Sequence, residues 1–390
     1  MRKLFYEDIN QTGFTATVIS CEPDDKKKCY RILLDATAFF PEEGGQTADK
    51  GTLNGLPVSD VQIENDLIYH FVAEPLTIGS TVTGQVDWAQ RFDFMQQHSG
   101  EHIISGLVHK HFGYNNVGFH LSVNEVTLDF DGVLTAEQLR EIELLANEAV
   151  YRNLPIEISY PDKETLASLS YRSKIELDGQ VRIVTIPGVD VCACCAPHTA
   201  TTGAIGIIKI TNCQSHRGGV RLNILCGRRA LMDYNKKQDS VTAVSVALSA
   251  KQDQIAEAVL KLKDDILRQK ERTNALQAQY LSLCISTLPK PSETEHAVFF
   301  VDSMDTIALR NAVNELAERY TGYCAVFSGS DTEGYQFIAG SSHADCKLLA
   351  DTLRKGLNAK GGGSPSMIQG SVKAAKEQIE ACINGELLWN

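Results

Sequence analysis

A long segment without proline or glycine, residues 235–288, constrains this fold more than any other feature. Apolar residues recur in it at intervals of seven, at positions 241, 248, 255, 262, 276 and 283, with companions four residues on at 259, 266 and 280. A sustained heptad pattern is typical of a coiled coil. One straight helix over residues 241–283 would be about 64 Å long. We predict a coiled-coil linker, residues 236–289, that pairs two copies as a homodimer; a helix hairpin is the alternative.

The first 88 residues have a different pattern, in which apolar and polar side chains alternate over short runs. The runs FTATVIS, YRILLDA and TVTGQVDW are separated by the turn-rich stretches EPDDKKK and EEGGQTADKG. Alternation with a period of two indicates half-buried strands. Residues 1–88 are therefore predicted to form a small β-barrel or sandwich domain.

Residues 89–235 combine helices and strands. Apolar residues between Phe92 and Gly113 follow a helical period, and Thr135 is a suitable N-cap for a second helix. The runs VRIVTIPG, GAIGIIKITNC and VRLNILCG indicate strands. After a linker containing proline, residues 290–390 alternate strands and helices as a small α/β domain does. The predicted class is α+β, with four domains.

Composition limits the functions that this chain can have. The net charge of −12 argues against indiscriminate binding to nucleic acid, although a local basic surface remains compatible with it. The amino terminus lacks the apolar core of a signal peptide, so we expect a cytoplasmic protein. The eleven cysteines are odd in number and crowded at 192, 194 and 195. That arrangement favours metal binding or reactivity over a disulfide framework.

Two spaced pairs of side chains carry the clearest chemistry. His98 and His102 stand four residues apart on the first predicted helix, which places both imidazoles on one face. Cys194 and His198, in CACCAPH, have the same spacing. Imidazole and thiolate are the preferred ligands of tetrahedral zinc. The sequence therefore predicts one zinc ion held by His98, His102, Cys194 and His198.

Other interpretations of these residues stay open. HSGEH matches the H-x-x-E-H signature of an inverted zincin protease, in which Glu101 would be the general base and Glu176 the third ligand. Cys195 and Cys192 are alternative thiolates, and Cys195 could also be a nucleophile. Adjacent helical residues diverge by about 100°. Since Glu101 adjoins His102, we expect it to face solvent rather than to orient a ligand.

The motifs MQQHSGEH, C-x-x-x-H and TTGAIGIIKI together resemble the editing domain of alanyl-tRNA synthetases and the freestanding AlaX editing proteins. AFFPEEGGQTADKG is similar to the glycine-rich stretch F-Y-P-x-G-G-G-Q-P-x-D-x-G of that family, with Glu43 and Thr47 departing from it. KGGGSPSMIQGS looks like the domain that ends those synthetases and accompanies DHH phosphoesterases, with Ser364 in place of an arginine. The resemblance covers essentially the whole chain.

This resemblance implies that the four residues hold one zinc and that the protein hydrolyses the ester of mischarged tRNA(Ala), with serine as the expected cargo. No synthetase catalytic domain precedes the barrel, so we do not expect aminoacylation. Whether the zinc is catalytic or only positions the substrate stays open, because four protein ligands are typical of a structural site. The alternative function is a tRNA-binding or assembly factor with structural zinc.

The resemblance also suggests which residues contact the substrate. Gly44, Gly45 and Gln46 belong to the glycine-rich stretch, and Asn116 lies where the synthetases carry Q-x-G-S. A buried amide that bonds the serine hydroxyl would discriminate against alanine, and Gln46 and Asn116 are the candidates; backbone capping is the alternative role for both. Basic residues after the metal pair, including Arg221, are expected either to contact phosphates or to form a solvated surface: Arg217, Arg221, Arg228 and Arg229.

Overall fold

The computed structural model describes residues 1–173, 180–292 and 294–387. The chain divides into two compact units, residues 1–241 and the part from 242 onward. Among the described residues, no helix is both long and apolar enough to cross a membrane.

The chain begins with a small barrel. Its elements are β1 (Arg2–Lys3), α1 (Leu4–Glu7), β2 (Gly13–Asp24), β3 (Cys29–Leu34), β4 (Ala36–Thr37), β5 (Gly51–Leu53), β6 (Leu56–Glu64), β7 (Leu67–Val72) and β8 (Thr81–Val86). Six strands close in the order β2-β3-β7-β6-β5-β8, and all neighbours are antiparallel. Along β8 every second residue is buried, as the alternating sequence predicts. The barrel interior is filled by side chains such as Val18, Ile32 and Val82.

A region of mixed helices and strands follows the barrel. It contains α2 (Trp88–Phe112), β9 (Asn116–Leu121), β10 (Val126–Phe130), α3 (Ala136–Tyr151), β11 (Glu157–Ser159), α4 (Lys163–Ser168), β12 (Ile183–Ile186), β13 (Asp190–Ala193), β14 (Ile208–His216) and β15 (Gly219–Cys226). One antiparallel sheet has the order β14-β15-β10-β9, and a second has the order β11-β12-β13. Thr135 caps α3 in a capping box with Gln138, which confirms the predicted N-cap.

Helix α2 is the central element of this unit. It begins after the N-cap Asp87, ends at Gly113 with a left-handed φ of 72°, and is buried without interruption from Phe94 to Val108. Gly106 allows a close approach to β13, because a Cβ there would lie 2.5 Å from the carbonyl oxygen of Val189. A helix buried on every face holds its side chains firmly, which suits residues that must converge on one point.

The predicted single helix over residues 241–283 is wrong. The structure instead has α5 (Gly227–Leu248) and α6 (Ile255–Ser286), with a short 3-10 turn between them. Ser249 adopts a left-handed φ of 48°, and the amide of Ala250 bonds the carbonyl of Ser245 at 3.0 Å. Together with the bond from the amide of Ser249 to the carbonyl of Val246 at 3.1 Å, it forms a Schellman-type helix end built on serine rather than glycine. A search for glycine and proline misses such an end.

The second unit ends in a five-stranded sheet with helices. Its elements after α6 are β16 (Ala297–Val301), α7 (Thr306–Ala317), β17 (Cys324–Ser330), β18 (Gly334–Gly340), α8 (Cys346–Leu357), β19 (Lys360–Gly363), β20 (Met367–Val372) and α9 (Lys376–Leu387). The strand order is β16-β17-β18-β20-β19, with only the β16–β17 pair parallel. The α+β class is confirmed, while the division into four domains stays a prediction.

Candidate metal centre

Four side chains converge at one point inside the first unit. His98 and His102 lie one turn apart on α2, whereas Cys194 and His198 lie in the segment that follows β13. One ligand atom from each lies within 4.8 Å of the other three. Cys194 Sγ is 3.5 Å from His98 Nε2 and 3.4 Å from His198 Nε2. Two ligands bonded to one tetrahedral zinc are separated by roughly 3.5 Å, so these residues fit the predicted ion.

The structure also separates the three neighbouring thiols. Cys194 Sγ belongs to the four-residue cluster, whereas Cys192 joins a second group with His102 and Asp190. Cys195 points elsewhere, since its Sγ lies 3.3 Å from a Cβ built on Gly44. Burial raises the pKa of both Cys194 and Cys195, but for Cys194 the effects that lower the pKa, of which His98 is the largest, outweigh burial. The pKa of the Cys194 thiol is therefore well below its usual value, and Cys194 is the thiolate best placed to bind a cation.

Each histidine of the cluster has a partner for its second ring nitrogen. The Nδ1 atom of His98 lies 2.9 Å from Gln46 Oε1, that of His102 lies 2.9 Å from Asp190 Oδ2, and that of His198 lies 3.3 Å from Ser99 Oγ. An Nδ1–H group that donates to oxygen leaves the Nε2 lone pair available to a metal. Burial lowers the pKa of His198 to about 3, so this imidazole is neutral, as a ligand must be.

Asp190 is itself held in place. Arg172 donates to both of its carboxylate oxygens, at 2.7 and 2.8 Å. Burial raises the pKa of Asp190, but His102 and Arg172 together lower it below its usual value. This chain from Arg172 through Asp190 to His102 escaped sequence analysis. The available signal was the alternation in DVCA, which buries Asp190 on the same face of β13 as Cys192.

The glycine-rich stretch crosses from the barrel to this centre. Gly44 and Gly45 have left-handed φ angles of 62° and 81°, and a Cβ on Gly45 would lie 2.4 Å from the carbonyl oxygen of Phe119. The carbonyl of Gly45 accepts from the amide of Leu121 at 2.7 Å. The backbone thus presses against β9 and carries Gln46 to His98. Gln46 is fully buried, and its Nε2 atom has no hydrogen-bond partner.

A buried ion pair fixes the far end of this stretch to α2. The guanidinium of Arg91 binds the carboxylate of Asp49, with Nε at 2.9 Å from Oδ1 and Nη2 on Oδ2. Arg91 Nη2 also donates to the carbonyl of Ala38 at 2.6 Å, and the amide of Phe40 donates to Asp49 Oδ2 at 2.6 Å. Both ends of the stretch are therefore tied to the helix that supplies two histidines.

Known proteins share these sequence features. A family model described as "Threonyl and Alanyl tRNA synthetase second additional domain" matches residues 181–222, and one described as "tRNA synthetases class II (A)" matches residues 4–90. The chain is 29% identical over 398 residues to alanyl-tRNA editing protein Aarsd1 of Mus musculus, covering 98% of this chain and 96% of that protein.

A second relative is alanyl-tRNA editing protein Aarsd1-A of Xenopus laevis, 30% identical over 291 residues, or 71% of this chain and 69% of that protein. The chain belongs to the alanyl-tRNA editing protein family. It is also 29% identical over 313 residues to an alanine–tRNA ligase of Ignicoccus hospitalis, covering 77% of this chain but 34% of the ligase. The resemblance seen in the motifs is thus confirmed.

In this member of the family Glu101 does not face solvent, so that expectation is wrong. Its side chain is buried, with Oε1 accepting from Ser105 Oγ at 2.8 Å and from Asn116 Nδ2 at 2.6 Å. Its Oε2 lies 3.8 Å from His102 Nε2. Side chains of adjacent residues on a helix diverge by about 100°. This divergence does not expose Glu101, because other elements of the fold pack on every side of α2. The third zincin ligand, Glu176, lies outside the described residues.

Asn116 and Arg221 are both engaged by neighbouring side chains. Besides Glu101, the Nδ2 atom of Asn116 contacts Ser105 Oγ at 2.9 Å, and its Oδ1 accepts from the amide of Gly118. Arg221 donates to both oxygens of Asp129, at 2.6 and 2.7 Å. Arg217 lies in the turn between β14 and β15, whereas Arg221 lies within β15. A substrate contact by Arg221 stays a prediction, and one to phosphate would compete with Asp129.

Proposed function

We propose that this protein hydrolyses the ester that joins a wrong amino acid, above all serine, to tRNA(Ala). Relatives that align with this chain over nearly the whole length of both proteins are named alanyl-tRNA editing proteins, among them those of Mus musculus and Rattus norvegicus. The observation that carries the proposal is the convergence of His98, His102, Cys194 and His198 within 4.8 Å. Such a cluster offers one zinc site per chain beside the glycine-rich stretch of the same family.

The chain's own residues prepare this centre for an ester. Gln46, Asp190 and Ser99 orient the three imidazoles, and burial excludes water from their outer sides. A zinc ion bound there would supply Lewis acidity toward a carbonyl or a coordinated water. Glu101 Oε2 lies beside the metal-facing nitrogen of His102 and is kept there by Asn116. We propose that this carboxylate binds the α-ammonium group of the aminoacyl ester, since opposite charges attract strongly where water is excluded.

Selection of serine is assigned to Gln46. Its Nε2 atom is buried without a partner, so a serine hydroxyl that accepts from it would satisfy an otherwise costly donor. Alanine lacks that oxygen and would leave the donor unpaired, which can produce strong discrimination. Asn116, the other candidate, already bonds Glu101, Ser105 and Gly118, and we assign it to holding Glu101 in place.

Hydrolysis of Ser-tRNA(Ala) and Ala-tRNA(Ala) by the full chain tests the proposal. We expect serine release by the wild type to exceed alanine release, and His98→Ala to reduce it to the uncatalysed rate. His111→Ala, an exposed histidine at the end of the same helix, is the matched control and should retain activity. Gln46→Ala should narrow the preference for serine over alanine. A wild type that releases serine no faster than His98→Ala refutes the proposal.

Two other functions give different outcomes in related experiments. A structural zinc in a tRNA-binding factor predicts tRNA binding with every ester left intact. A zincin-type peptidase predicts a ligand set without sulfur, whereas Cys194 lies within the cluster. Replacement of zinc by cobalt should give a thiolate charge-transfer band that Cys194→Ser removes and Cys195→Ser keeps. Persistence of that band in Cys194→Ser would contradict the ligand set proposed here.

A further inference from the structure

The segment that supplies two of the four proposed ligands, residues 194–198, belongs to no strand or helix. We call it the ligand segment. Ala196 in its middle is fully buried in the hydrophobic core of the barrel, and Cys194 and Cys195 pack against the same core. Backbone outside regular structure must be held by other bonds when it is buried. The position of Cys194 Sγ in the metal centre therefore depends on the side chains that bind this segment.

Arg182, the residue before β12, binds the ligand segment at two points. Its Nη1 atom donates to the carbonyl of Cys194 at 2.8 Å and to the carbonyl of Ala196 at 3.0 Å. The amide of Cys194 donates in return to the carbonyl of Arg182 at 3.1 Å. One residue thus bonds both the amide and the carbonyl of a proposed metal ligand.

The guanidinium of Arg182 differs in its bonding from other arginines of this unit. Arg91 and Arg172 each bind a carboxylate, whereas the hydrogen bonds of Arg182 go to backbone carbonyls. Arg182 is 8% exposed, and a buried cation is costly unless its surroundings compensate for the lost water. A guanidinium kept at this cost and bonded to the ligand segment indicates a role in holding that segment.

The aromatic ring of Tyr6 provides part of the compensation. The central carbon of the Arg182 guanidinium lies 5.2 Å from the centroid of that ring, which is within the range of a cation–π contact. Tyr6 belongs to α1, whose Leu4 and Phe5 side chains are buried in the barrel core. The start of the chain is thereby connected, through Arg182, to the ligand segment.

We propose that Arg182 is a positioning residue for the metal centre and that Tyr6 keeps its guanidinium in place. Arg182 acts through Cys194, because it fixes the backbone on both sides of this residue and so directs Sγ toward the three imidazoles. Without the guanidinium the thiolate would remain, but ordering the ligand segment would oppose metal binding. The inference rests on the zinc site of the proposed function and requires no hydrolysis.

Zinc affinity of the full chain, measured by competition with a chromophoric chelator, tests this role. Arg182→Ala should weaken zinc binding about 10–100-fold, as the loss of a residue that orients a metal ligand usually does. In the cobalt-loaded protein the same change should weaken the thiolate charge-transfer band. Arg140→Ala removes an exposed arginine of α3 and is the matched control. It should keep the affinity and the band of the wild type.

The same substitution in a Cys194→Ser background separates positioning from general damage. The three imidazoles of this background can still bind zinc. Because Arg182 acts through Cys194, Arg182→Ala should weaken zinc binding there by no more than about threefold, so the two changes should not be additive. Damage to the fold as a whole would instead lower the affinity by the same factor in both backgrounds.

Milder changes at Tyr6 decide the question even where Arg182→Ala does not fold. Tyr6→Leu should weaken zinc binding about threefold, which corresponds to one cation–π contact, and Tyr6→Phe should keep the affinity. Tyr151→Leu, at a tyrosine that is 78% exposed, is the control and should also keep it.

The outcomes distinguish this inference from the proposed function. Unchanged zinc affinity in a folded Arg182→Ala or in Tyr6→Leu would overturn the inference, as would equal losses in the two backgrounds. A wild type that binds no zinc would overturn it together with the zinc site. If the variants lose zinc affinity as expected but the zinc-loaded wild type releases no serine, the proposed function is refuted and the role of Arg182 stands.

Discussion

Helices α2 and α6 have similar lengths and apolar repeats, yet their surroundings are opposite. Helix α2 has 25 residues and is buried without interruption from Phe94 to Val108. Helix α6 has 32 residues, of which only Leu281 and Ile285 are buried. Leu260, Leu262 and Ile266 are 66%, 47% and 61% exposed. Periodicity identifies a helix in both cases, but only packing by other elements decides whether the helix can support a site.

Truncating one leucine in each helix gives the sharpest form of this comparison. Leu107 of α2 is 6% exposed, whereas Leu260 of α6 is 66% exposed and lies off the heptad seam. Leu107→Ala should lower the free energy of unfolding by about 2–5 kcal/mol, because it leaves a cavity in a packed core. Leu260→Ala should change it by less than about 0.5 kcal/mol. Hydrogen exchange of the amides in α2 and α6 measures both effects, and similar losses would contradict the contrast.

Asp190→Asn tests whether α2 depends on neighbouring strands to present its ligands. The change removes a carboxylate that orients His102 and binds Arg172, so zinc affinity should fall about 10–100-fold. Asp129→Asn is the matched control, since Asp129 also binds an arginine in two places but contacts no ligand. Zinc competition with a chromophoric chelator measures both affinities. An unchanged affinity in Asp190→Asn would show that α2 alone orients His102.

Ile266→Glu tests whether a second copy covers the exposed face of α6. We expect this substitution to change the folding of one copy less than Leu107→Ala or Asp190→Asn does. The heptad positions that remain within α6 include Val259, Leu262, Ile266, Leu276 and Leu283, all more than a third exposed. We propose that they pair with a second copy, so the wild type should have the mass of a dimer by light scattering. Ile266→Glu should give a monomer with little change in the free energy of unfolding, because this side chain is 61% exposed within one copy. A monomeric wild type at micromolar concentration rejects the dimer.

Local sequence signals predicted much of this structure. The spacing of His98 and His102 and the cap at Thr135 depend on residues within a few turns of one helix, so both could be inferred. The burial of Glu101 could not, because it results from layers that pack on α2 from distant parts of the chain. The helix end at Ser249 was missed for a local reason: serine there adopts a conformation that glycine usually provides. Asp190 and Arg172 meet only through the pairing of residue 172 with β13.

The link from Gln46 to His98 would couple the barrel thermodynamically to a metal ion bound at the candidate centre. The stretch that carries Gln46 is bonded to β6 of the barrel, where the amide of Glu42 donates to the carbonyl of Val61, and also to Arg91 of α2 through Asp49. An ion that requires His98 in one orientation stabilises the folded loop, and an ordered loop strengthens the binding of the ion in return. Zinc should therefore raise the melting temperature of the barrel, although the barrel contains none of its ligands. Substitutions that destabilise the barrel should in turn lower the affinity for zinc.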